Sequence, residues 1–60
     1  MIRCIDKNEI DNVFFDENLS NECFISENRE RKWVAIDNRT GDRWAELFGD
    51  LKDALNWLRE

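Results

Sequence analysis

WVAIDNRTGDRWAELF, residues 33–48, places one turn signal between two short runs that each carry a tryptophan. Asn38 suits the first position of a tight turn, and Gly41 supplies the positive φ that a type I turn followed by a bulge requires. The flanking residues are β-branched, aromatic or small, so the stretch predicts a β-hairpin. If the turn closes as a three-residue loop, Ile36 faces Trp44, Ala35 faces Ala45 and Trp33 faces Leu47. Side chains alternate along a strand. Val34, Ile36 and Trp44 would then share one face, and Trp33, Ala35, Ala45 and Leu47 the other. Both faces are apolar, which demands cover on both sides.

The residues after the hairpin provide one cover. In GDLKDALNWLRE, Asp50 is a candidate N-cap, Asp53 lies three residues on where the helix dipole favours an anion, and Arg59 sits near the C-terminal end. At about 100° per residue, Leu51, Ala54, Leu55 and Leu58 form one apolar stripe with Trp57 on its border. Upstream, ECFIS (22–26) and KWVAID (32–37) have strand composition and are separated by the polar ENRER, which predicts a second hairpin with a solvated loop.

The first twenty residues fit no single pattern. MIRCI suits a first strand; Ile10, Val13 and Phe14 keep helical spacing, while VFF suits a short strand between asparagine- and aspartate-rich turns. Three covers for the second sheet face remain open: this segment through Ile10, Val13, Phe14 and Phe15, a second copy of the chain as a homodimer, or a different protein. The expected fold is a single α+β domain over residues 1–60, with a small antiparallel sheet of about three strands packed against one C-terminal helix. Sixty residues is close to the lower limit for unaided folding.

Chemistry has few residues to use. The sequence has no histidine and no glycine-rich phosphate loop, and Cys4 and Cys23 are too few for a closed zinc site, so no enzyme activity, metal or cofactor is expected. The run Asp37 to Asp42 superficially suggests a calcium loop, but Arg39 occupies a ligand position and no bidentate glutamate follows at the required spacing. MIRCIDKNEI holds no apolar run suited to a signal peptide or membrane span. The expectation is therefore a cytoplasmic chain with reduced thiols, its cysteines acting as small buried hydrophobes and its sequons at Asn18 and Asn38 as turn chemistry.

Charge narrows the partner class. The net charge is −5, and residues 1–28 hold two cations, Arg3 and Lys7, against seven carboxylates. Phosphate backbones repel such a chain. One basic cluster, Arg29, Arg31 and Lys32 beside Phe24 and Trp33, would allow nucleic-acid binding by a basic loop and sheet aromatics. The acidic half allows the opposite, a mimic of DNA phosphates that occupies another protein's groove. Protein binding fits the most features, with Trp33, Leu47 and Phe24 on an uncovered sheet face or Trp57 at the helix border as docking residues.

Trp33 to Asp42, Trp44, Phe48, Ala54, Leu55, Trp57 and Leu58 together resemble small uncharacterised bacterial and phage-encoded proteins. Those pair a WVAIDNxTGD hairpin with an aromatic strand and a short helix ending in WL. The resemblance spans the C-terminal half and supports the hairpin and helix; it brings no catalytic or binding residues. With the small size and asparagine-rich composition, it implies an inhibitor or accessory protein from a phage or other mobile element.

Overall fold

A computed structural model describes residues 1–59. Its order is β1 (Ile2–Cys4), a 3-10 turn (Lys7–Glu9), α1 (Ile10–Phe15), β2 (Cys23–Glu27), β3 (Trp33–Asp37), β4 (Trp44–Phe48) and α2 (Leu51–Leu58). The strands form one sheet in the order β1-β2-β3-β4, with β1 parallel to β2 and the other pairs antiparallel. This is the expected α+β architecture with a fourth strand added at the N-terminal edge. Parallel neighbours require a long crossover, and residues 5–22, including α1, make it. That connection lays α1 across the sheet, which settles the ambiguity of VFF in favour of helix.

Each face has its own core. On one, Cys23, Ile25 and Ala35 pack against Ala54 and Leu58 of α2, with Trp33, Phe48, Leu55 and Trp57 at the rim. On the other, Phe24, Val34 and Ile36 pack against Val13, with Ile5, Ile10, Phe14 and Leu19 around them. The N-terminal segment is thus the second cover. Phe15, expected among the covering residues, is instead 82% exposed, because it follows Phe14 by one residue and points off the helix face that meets the sheet. Cys23 is buried, but Cys4 is exposed on the edge strand β1, away from β3 and β4 where α2 packs; both thiols are free.

α2 starts where its caps predict. Asp50 has extended backbone angles and accepts a hydrogen bond from the Lys52 amide at 3.0 Å. Ala54 and Leu58 are buried, Leu55 and Trp57 partly so, and Leu51 at the first turn is 38% exposed. Trp57 meets Phe48 with ring centroids 5.9 Å apart and planes tilted by 49°.

The β3-β4 register departs from the three-residue loop by one position. Asp37 pairs with Trp44, Ile36 with Ala45, Ala35 with Glu46, Val34 with Leu47 and Trp33 with Phe48. A one-residue slip moves every side chain of the strand to the opposite face. Trp44 therefore joins Trp33 and Ala35 on the α2 side, while Ala45 and Leu47 join Val34 and Ile36 on the α1 side.

Two tertiary anchors favour this register. Asn38 is buried, and its carboxamide nitrogen donates to the Ser20 carbonyl at 2.9 Å. Arg43 takes a positive φ of 55°, and Arg31 in the other hairpin one of 62°. From there its guanidinium donates to the carbonyls of Val13, Phe14 and Asp16 at the end of α1. Gly41, at φ 85°, closes the turn with its amide on the Asn38 carbonyl at 3.0 Å.

Candidate protein-binding surface

The expected docking residues do not converge on one surface. Phe24 is 3% exposed in the α1-side core. Trp33 and Trp57 are half-buried at the rim of the α2-side core. Leu47, 56% exposed, projects on the opposite face from Trp33. The uncovered sheet face expected to unite Trp33, Leu47 and Phe24 does not exist, because both faces are covered and the register separates Trp33 from Leu47.

The basic loop fares similarly as a stacking platform. Asn28 organises it by accepting the Glu30 and Lys32 amides on its side-chain oxygen, both at 2.9 Å. Arg29, Arg31 and Lys32 are exposed, with Arg29 donating to Asn8 Oδ1 at 3.0 Å. Phe24 lies inside the core, however, and Trp33 is committed to packing beside α2, so neither offers a free ring face next to these cations.

Met1, Phe15 and Leu51 are exposed outside the strands, and the large apolar side chains exposed within the sheet are both on β4. Trp44 is 64% exposed on the α2 side and Leu47 56% on the α1 side. Ala45 and Leu47 form one wall of a shallow groove with Val34 as floor and Ile10 and Phe14 of α1 as the other wall. The groove arises because α1 has only six residues and contacts the middle of the sheet without reaching across β4.

The main chain of β4 is also open. Just beyond the two ends of the β2-β3 pair the Asn38 amide donates to the Glu22 carbonyl and the Asn28 amide to the Lys32 carbonyl, so the even-numbered residues of β3 bond toward β2. Antiparallel strands alternate in direction, so Trp33, Ala35 and Asp37 bond toward Phe48, Glu46 and Trp44. The N–H and C=O groups of Ala45 and Leu47 consequently point outward, and β4 is last in the strand order. Backbone polarity at this edge lies directly beside apolar side chains on both faces.

Electrostatics at the edge are acidic. Asp42, Glu46 and Asp50 are exposed at four-residue intervals, and the nearby cation Arg43 is turned back onto the α1 carbonyls. At the hairpin end, two hydrogen bonds from the Arg39 guanidinium, at 2.7 and 3.0 Å, hold the Asp37 carboxyl down at about 2. The Cys23 thiol, 3.8 Å from that carboxylate, is pushed up by burial and then by the Asp37 charge, so it remains protonated at neutral pH.

Sequence reasoning missed Trp44 and the β4 edge as surface features because it placed the strand one position out of register. The signal in the sequence was Arg43, a cation between the turn and the strand with no obvious local partner.

Searches found no matching protein-family model, curated protein or solved structure. No helix among the described residues is long and apolar enough to cross a membrane.

Proposed function

We propose that this chain is a non-catalytic protein-binding module, acting as an inhibitor or accessory protein, and that it engages its partner along β4. The carrying observation is the conjunction at that strand of outward main-chain groups on Ala45 and Leu47 with the exposed Leu47 and Trp44 side chains. Elsewhere the apolar side chains of the sheet serve the two cores. Open strand edges are a recurrent site of protein recognition, because main-chain hydrogen bonds supply affinity and flanking pockets supply selectivity.

The reading is tested by affinity capture from lysate of the native cell, with and without nuclease, using wild type beside Leu47→Glu. Leu47 is exposed, so the substitution leaves the fold intact, which circular dichroism checks. Wild type is expected to retain a protein that nuclease treatment does not remove and that Leu47→Glu loses. Retention of every captured protein by Leu47→Glu, or recovery of nucleic acid as the retained species, overturns it.

A further inference from the structure

The acidic, half-apolar character of the β4 edge identifies what kind of segment fits it. From the geometry we infer that β4 is extended by a strand from another protein. That strand is apolar where it faces Ala45 and Leu47 and lysine- or arginine-bearing where it faces Trp44 and Glu46. This deepens, and rests on, the reading of β4 as the binding surface.

The alternation follows from the register. Residues of an added strand that exchange hydrogen bonds with Ala45 and Leu47 project on the α1 side, over the groove walled by Ile10 and Phe14. The intervening residues project on the α2 side beside Trp44 and Glu46. A cation there meets a carboxylate and an exposed indole face together, and both attract it. Asp42 and Asp50, exposed just beyond the two ends of β4, add negative charge on either side of the site.

A second copy of this chain is a poorer occupant. The antiparallel register that uses all the outward groups of both edges sets Ala45 opposite Leu47 of the copy and Glu46 directly opposite its own equivalent. Like charges facing each other across a strand pair are unfavourable, and each chain already carries a net charge of −5.

The test uses the full chain and three blocked heptapeptides: alternating lysine and valine, alternating glutamate and valine, and the lysine peptide with a central proline. Amide hydrogen exchange and chemical-shift changes are followed by NMR at low salt. The lysine peptide is expected to protect the Ala45 and Leu47 amides and to bind about tenfold tighter than the glutamate peptide. Glu46→Lys should reverse that order, and the proline peptide should not protect. Ala45→Pro removes an amide that points to solvent, a position where an edge strand tolerates proline, and should abolish the protection at Leu47 without changing exchange in α2.

Equal protection by the lysine and glutamate peptides overturns the charge assignment while leaving β4 as the binding surface. Absence of protection by any peptide overturns strand addition; capture that still depends on Leu47 would then preserve the broader reading, and its loss would remove both. Protection of Ala45 and Leu47 that rises with protein concentration alone, accompanied by dimer in sedimentation, overturns the inference in favour of a second copy.

Discussion

The two faces of the sheet are closed by different means. On the α2 side, an eight-residue helix with a side-chain cap presents Ala54 and Leu58 to Cys23, Ile25 and Ala35. On the α1 side, the six-residue α1 has no side-chain hydrogen bond at its N-cap and buries only Val13 of its own residues; Arg43, just before β4, secures its C-terminal end. The first cover is built into local sequence. The second depends on a long-range contact and stops short of the β4 edge, and that shortfall leaves the groove by which we infer the protein binds. One side thus supplies regular packing, while the other combines a smaller cover with an accessible surface.

Truncating one packed side chain of each cover, the buried Leu58 and the half-buried Phe14, tests the contrast most strongly. Leu58→Ala should cost about 3 kcal/mol through lost burial and the cavity left behind. For a core that supplies only about 3 to 5 kcal/mol net, this leaves much of the population unfolded at room temperature, as urea denaturation would measure. Phe14→Ala, on the half-buried rim of the groove, should cost about 1.5 kcal/mol and keep the cooperative transition. Equal losses would mean that the faces contribute alike.

What could be read from the sequence follows the same division. Asp50, Asp53 and the Ala54/Leu58 spacing identify α2 because capping and helical periodicity are local properties. Cys23 to Glu27 and Trp33 to Asp37 are likewise legible from composition, within one residue at their starts. The β4 register was not legible. Its alternatives differ by one residue in the turn, and the choice depends on Asn38 reaching the Ser20 carbonyl and Arg43 reaching α1, contacts spanning 18 residues and about 30 residues of chain. The candidate surface depends on that register: Leu47 is exposed on it, while Phe24 is buried and Trp33 projects on the opposite face. β1 was ambiguous for a related reason: three residues cannot show a period, and parallel pairing leaves no turn signal.

Arg43→Met isolates the long-range anchor of the weaker cover. It keeps an apolar stem but removes the charge-assisted hydrogen bonds to the end of α1. Local protection of the α1 amides should fall by about 2 kcal/mol in hydrogen exchange, with much smaller changes in α2 and β2. An equal fall across the whole chain would show that α1 and α2 open as one unit and that the division between faces has no dynamic counterpart.

The smallest effect concerns the hairpin end, where Asp37 accepts hydrogen bonds from Arg39 beside Cys23 of the α2-side core. Because the folded carboxyl is lowered to about 2, against an ordinary value near 3.9, its ionised form favours the folded state. That contribution is fully present above the ordinary value, and it is lost as pH falls through about 2. Arg39 is solvent-accessible, so screening limits the contribution of Asp37 to about 1 kcal/mol or less. Urea midpoints taken between pH 5 and pH 2 should fall less steeply for Asp37→Asn than for wild type, with the two converging at the acid end. Parallel profiles would show that Arg39 binds the carboxylate as strongly in the unfolded chain, and that the hairpin end adds nothing pH-dependent to the better-closed face.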